Sequence, residues 1–148
     1  FVSRAPALRR SAQSMQITLF AEPSQLLSAA APRGFGYLFS IPNLDVLAPE
    51  VIALPTRAAV NFHDGPLPEY AGLNTPVWAL LNCEAQHGIT WHLMTREVDR
   101  GDILAQRRFD LRDNETALTL NTRCFEAAIV SGRRAARELL RRDREAHP

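Results

Sequence analysis

Asn61-Phe62-His63-Asp64-Gly65-Pro66-Leu67-Pro68-Glu69-Tyr70-Ala71-Gly72 is the stretch on which the reading of this chain turns. It follows the apolar run Ala58-Ala59-Val60 and opens into a segment punctuated by Pro and Gly, the residues of turns. A strand therefore ends here, and its last residues are polar. Side chains two apart on a strand share a face, so Asn61 and His63 project together while Phe62 turns into a core. In open parallel α/β sheets, ligands bind at the carboxyl ends of strands. An amide beside an imidazole at such an end suits a carbonyl that becomes an oxyanion: the amide donates a hydrogen bond, and the imidazole donates one or moves a proton. The same pair also reads as a capping Asn and a structural His, and the two residues alone do not separate these readings.

Outward from this strand, helical and extended patterns alternate, which argues for a parallel sheet wrapped by helices. On the amino-terminal side, Phe1-Val2-Ser3 reads as a strand tail and residues 6–14 as a helix with Pro6 in its first turn. Residues 16–20 read as a strand. Residues 24–31 read as a helix capped by Ser24 and ended by Pro32 and Gly34. A strand over 35–39 and a short helix over 47–54 complete that half. On the other side, Asn74 or Thr75 caps a helix with Pro76 in its first turn and Val77, Trp78, Leu80 and Leu81 on its apolar side, Trp78 in the core. His87 and Gly88 fall in a connection, His87 exposed. Residues 89–94 form a strand with Ile89, Trp91 and Leu93 on one face and Thr90, His92 and Met94 on the other. Gly101 permits a sharp turn before an edge strand over 103–109. Asp113 or Asn114 caps a final helix over 116–144, whose Leu120, Cys124, Ala127, Ala128, Leu139 and Leu140 recur at helical spacing.

The 148 residues suffice for one domain. A net charge of +1 gives no argument for a nucleic-acid partner, and no apolar run has the length that spans a bilayer. The start, Phe1-Val2-Ser3-Arg4, lacks the charged-then-apolar pattern of a secretory signal. Cys83 and Cys124 lie far apart without metal-ligand spacing and read as free thiols in a reducing, cytoplasmic setting. The chain has no Lys, which excludes Schiff-base chemistry on a lysine. Its seven glycines never form G-x-G-x-x-G. The arginine-rich end, residues 133–144, reads as a solvated helix face that suits the C-terminal dipole, and Arg100-Gly101-Asp102 as a chance adhesion tripeptide.

Asn61-x-His63, then Leu67-Pro68, Tyr70 and Gly72, then a helix, then Val98-Asp99-Arg100-Gly101-Asp102-Ile103-Leu104: this pattern resembles the folate-dependent formyltransferase family, over nearly the whole chain. The wording of the loop resembles most closely the formylation domains of nonribosomal peptide synthetases. The resemblance implies an α/β, Rossmann-like, mostly parallel sheet with helices on both faces, lacking the family's first strand and helix. It implies a catalytic domain over residues 1–132, incomplete at its amino end, with 133–148 as a helix end or linker, within a larger multidomain protein. It implies transfer of a formyl group from 10-formyltetrahydrofolate to an amine, with no metal. Asn61, His63 and Asp99 would be catalytic, Asp99 being better placed than Asp102. Leu47, Met94 and Glu97 would lie against the formyl donor, although Leu47 reads equally well as a core contact. His92 would stand behind the catalytic group or be a satisfied core residue. Many relatives carry Ser-Leu-Leu-Pro after the His where this chain has Asp64-Gly65-Pro66-Leu67-Pro68; the Ser is replaced, and Asp64 adds a carboxylate that either favours a charged His63 or, the preferred reading, caps the loop. The acceptor would be a small-molecule or carrier-bound amine, with no membrane partner and no nucleic acid expected, tRNA being left open. Two alternatives remain: a 10-formyltetrahydrofolate hydrolase, or a catalytically degenerate folate-binding or docking domain.

Overall fold

The computed structural model describes residues 2–29 and 34–146. The readings at Phe1, at residues 30–31 and at Pro32 lie outside the described residues. Four strands form one sheet in the order β1-β2-β3-β4: β1 (Tyr37–Ser40), β2 (Ala58–His63), β3 (Gln86–Leu93) and β4 (Ile103–Asp110). Around it run α1 (Pro6–Ser14), α2 (Gln25–Ala29), α3 (Pro49–Ile52), α4 (Thr75–Leu81) and α5 (Ala117–Ala146). The α/β, Rossmann-like class is as the sequence implies, but the strand directions are mixed. Only β1 and β2 run parallel; β2–β3 and β3–β4 are antiparallel. Residues 94–102, which join β3 to β4, are too few for the dozen or more that a parallel crossover takes.

The core forms where α5 lies on β3 and β4. Leu120, Cys124, Ala127, Ala128, Ala135 and Leu139, with Ser131 between, lie along one face of the helix and are buried, the apolar ones against Val60, Phe62, Ile89, Trp91, Leu104 and Ala105. Phe62 sits between Trp91 and Phe125, with ring centroids 5.4 and 5.8 Å away. The Trp91 indole N–H donates to Ser131 Oγ at 3.2 Å, so its one polar atom is satisfied. The helix runs unbroken through the arginine-rich end. There Arg142 pairs with Glu138 and Asp102, and Asp143 with Arg57. Leu140, expected on the apolar face, is exposed, because the buried stripe continues through Ala135 and Leu139.

Several local expectations are corrected. Residues 16–20 form no strand: the N–H groups of Gln16 and Ile17 turn back to the carbonyls of Gln13 and Ala12 and close α1, leaving a single bridge between Val2 and Phe20. Trp78 is 55% exposed, with Val77 and Leu81 beside it, because α4 buries Thr75, Pro76 and Ala79 instead. A short helix with apolar residues all round has no periodicity to choose its inner face. The cap of α5 is Thr116, not Asp113 or Asn114: Thr119 N–H donates to Thr116 Oγ1 at 3.2 Å, and Thr116 N–H donates to Thr119 Oγ1 at 2.9 Å, a reciprocal capping arrangement. At α4, Asn74 has a left-handed backbone (φ 60°) and makes no side-chain cap.

His87 and Gly88 belong to β3, not to a connection. A Cβ on Gly88 would lie 2.6 Å from the Arg107 carbonyl oxygen, so this glycine marks a close strand approach. His87 is 1% exposed. Burial pushes its imidazole below the usual value, and the Asp64 carbonyl and charge restore only part of that. The unfolded chain therefore binds a proton at higher pH than the folded one does. Stability is full above about pH 6.5 and declines as pH falls below it. Urea unfolding at pH 5 and pH 7.5 should give the lower midpoint at pH 5, and His87→Phe should shrink that difference; equal slopes in both proteins would contradict this assignment.

Candidate active site

The antiparallel pairing of β2 with β3 sets Asn61 opposite His92 and His63 opposite Thr90. Two imidazoles and an amide thus meet on one face at the carboxyl end of β2, while Phe62 points into the core. The connection after β3 supplies the acid. Leu93 N–H donates to the Asp102 carbonyl at 2.9 Å, and Gly101 lies so close to Leu93 that a Cβ would stand 1.8 Å from its carbonyl oxygen. Between these anchors Asp99 adopts a left-handed backbone, φ 56°, uncommon outside glycine. Gly101 is thus required for close packing, and the sharp turn itself falls on Asp99.

Asp99 Oδ2 lies 3.7 Å from His63 Nδ1, and Oδ1 lies 3.5 Å from His92 Nε2. The Gly72 backbone N–H donates to Oδ2 at 2.9 Å. Burial pushes the Asp99 carboxyl up, but the His92 contact, the Gly72 N–H and the nearby imidazoles outweigh it and hold the group below its usual range. His63 Nε2 lies 2.6 Å from the Tyr70 carbonyl oxygen. That oxygen only accepts, so Nε2 carries the hydrogen and Nδ1 is the nitrogen that faces Asp99. His92 Nδ1 likewise donates to the Leu93 carbonyl at 2.8 Å, leaving Nε2 to accept from Asn61 Nδ2 at 3.2 Å. One N–H of the Asn61 amide is held in this way, and the other stays free to donate.

The loop after His63 is tied down residue by residue. Thr90 Oγ1 donates to the Gly65 carbonyl at 2.8 Å and accepts from Leu67 N–H at 3.0 Å. Gln106 Nε2 donates to the Leu67 carbonyl at 2.8 Å. A Cβ on Gly65 would stand 2.6 Å from the Tyr70 carbonyl oxygen and 3.0 Å from His63 Nε2, so only glycine leaves room for that hydrogen bond. Asp64 turns to the head of α4, where the Thr75 hydroxyl reaches its backbone oxygen at 2.7 Å and its carboxylate at 3.2 Å.

A cleft of about 730 Å³ opens over this group. Asn61, His63, Asp64, His92, Met94, Glu97, Asp99 and Leu47 all line it. Leu47 is also buried, so it is both wall and core contact. Sequence reasoning missed the supporting residues Gly65, Thr75, Thr90 and His87 and the Tyr70 carbonyl. Alternation carried back to Gln86 would have placed His87 on the inward face with Ile89 and Trp91; the backbone contacts leave no mark in the sequence. Among the described residues no group of three or more His, Cys, Asp or Glu is placed to hold a metal ion. No helix among them is long and apolar enough to cross a membrane.

Fold and site together define a Rossmann-like domain with an amide, an imidazole and a carboxylate gathered over a strand end. Residues 43–130 match the formyl transferase family, and the chain belongs to it. Solved structures share the fold. The phosphoribosylglycinamide formyltransferase of Anaplasma phagocytophilum is 23% identical, with a TM-score of 0.73 over 86% of this chain and 64% of that one. The Streptococcus pneumoniae protein of the same name is 18% identical, with a TM-score of 0.77 over 93% and 83%. A formyltetrahydrofolate deformylase of Pseudomonas syringae is 20% identical, with a TM-score of 0.74 over 93% and 49%. The chain thus spans less than two thirds of the Anaplasma and Pseudomonas proteins. None of these three is a peptide-synthetase domain, so they lend no support to that narrower likeness.

Proposed function

We propose that this domain transfers a formyl group from 10-formyltetrahydrofolate to an amine. The observation that carries the reading is the convergence of Asn61, His63 and Asp99 over one cleft. The cleft has the size of small-molecule sites, with polar groups set among apolar walls, and this suits a donor whose rings are flanked by polar groups. Leu47, Met94 and Glu97 would hold the donor. Attack of the amine nitrogen on the formyl carbon puts negative charge on the formyl oxygen. Asn61 donates its free N–H to that oxygen, and a protonated His63 donates from Nδ1. As the bond from carbon to N10 breaks, His63 gives the Nδ1 proton to N10. Asp99 takes the proton lost by the amine and, having a lowered pKa, hands it on to the imidazole.

Four of the five charged residues lining the cleft are acidic: Asp45, Asp64, Glu97 and Asp99, against Arg96. Such a lining attracts an ammonium ion, which favours an amine over water as acceptor. Hydrolysis would need only the same residues with water as nucleophile, and the deformylase shares the fold. Incubation of the protein with 10-formyltetrahydrofolate, with and without a panel of small-molecule and carrier-bound amines, separates the two. Amine-dependent turnover is expected; formate release at an undiminished rate without any amine would replace the proposed reaction with hydrolysis.

A further inference from the structure

The Asp64 carbonyl, next to His63 in the chain, is gripped at short range by two elements, with the Cys124 thiol of α5 a longer third donor at 3.8 Å. His87 Nε2 on β3 lies 2.8 Å away and the Thr75 hydroxyl on α4 lies 2.7 Å away. A carbonyl oxygen has two lone pairs, and both are used. The following carbonyl, of Gly65, is held by Thr90 from the opposite face of β3. Two consecutive peptides are therefore clamped from the two faces of one strand. The His63 ring reaches the Tyr70 carbonyl within the same loop, so rotation of the Asp64–Gly65 peptide would shift the backbone next to His63 and carry the imidazole off that oxygen and away from Asp99.

His87 is otherwise an odd choice for its place. It stands edge-on to Tyr70 and Phe109, with ring centroids 5.7 and 6.3 Å away, and its Nδ1 has no hydrogen-bond partner. A phenyl ring would fill the same space with no stranded nitrogen. What the imidazole adds is one N–H aimed at the Asp64 oxygen. We infer that His87 is a positioning residue, whose Nε2–H fixes the Asp64–Gly65 peptide, one residue beyond His63, and through it the aim of the His63 ring. Its kinetic consequence rests on the proposed formyl transfer; its geometric one does not.

The test compares His87→Phe, His87→Gln and Thr75→Val in the full protein, reading kcat, KM for the formyl donor, the unfolding midpoint, and the His63 Nε2–H signal in protein made with isotope-labelled histidine. His87→Phe is expected to lower kcat about 10- to 100-fold with KM within about threefold, to displace or broaden the His63 signal, and not to lower the midpoint at neutral pH. His87→Gln, which returns an N–H at similar reach, should restore both kcat and signal. Thr75→Val removes the other short donor and should mimic His87→Phe, which keeps the test open if the latter fails to fold. An unmoved His63 signal in folded His87→Phe, or equal losses in the Phe and Gln variants with lowered midpoints, would overturn the inference. If the wild-type protein turns over neither amine nor water, the functional reading fails while the His63 signal still decides this one.

Discussion

His63→Ala should lower formyl transfer by roughly a thousandfold or more while a folate analogue binds within about threefold of wild type. The imidazole lines the cleft and faces the acid through Nδ1. Its Nε2–H is committed to Tyr70 and its Nδ1 faces Asp99, so alanine removes the proton carrier and leaves Asp99 facing only His92, which is bonded to Asn61. The cleft walls that would hold the donor, Leu47 and Met94 among them, are untouched, which is why turnover and affinity should separate. Steady-state rates beside a fluorescence titration with a folate analogue measure both. A variant that turns over near the wild-type rate would remove His63 from the mechanism; one that loses binding and turnover together would make it a structural residue.

Gly101→Ala should be nearly as damaging, although residue 101 touches no substrate. The added methyl would stand 1.8 Å from the Leu93 carbonyl oxygen and 2.7 Å from its carbon, and backbone cannot rotate aside as a side chain does. That carbonyl is also the acceptor that fixes the His92 ring, and Asp99 sits two residues before the clash. Moving this segment therefore disturbs the acid and the residue that holds Asn61 at once. A loss of about 3 kcal/mol in stability and about 100-fold or more in turnover is expected. Gly72→Ala is the control: its φ is 96° but a Cβ would meet nothing within 4 Å, so it should show only the backbone penalty of about 1–2 kcal/mol. Equal stability of the two variants by urea unfolding would mean that the segment yields, and that the close approach at Gly101 does not require glycine.

The strand-end pair and its acid were legible because each has a local signature: period-two alternation puts Asn61 and His63 on one face, and the family pattern marks Asp99. The α/β class followed from alternating elements, and α1 from Pro6 at its first turn. Strand direction was not legible in the same way. The sequence shows that β3 and β4 exist, but their mutual direction follows from the length of the 94–102 connection, which only matters once both strands are placed. Trp78 and His87 misled for opposite reasons. An exposed Trp and a buried His both invert composition-based expectation, and each was decided by its neighbours: α4 turned Ala79 inward, and the Asp64 carbonyl gave His87 a partner.

The left-handed backbone at Asp99 sets two selective pressures against each other. Glycine, and to a lesser degree asparagine, rests more easily in that region than aspartate does. A library screened only for heat resistance should accumulate them at this position and shed the carboxylate along the way. Thermal robustness and chemical competence thus compete for a single codon, so any effort to harden this domain must screen for activity alongside melting temperature.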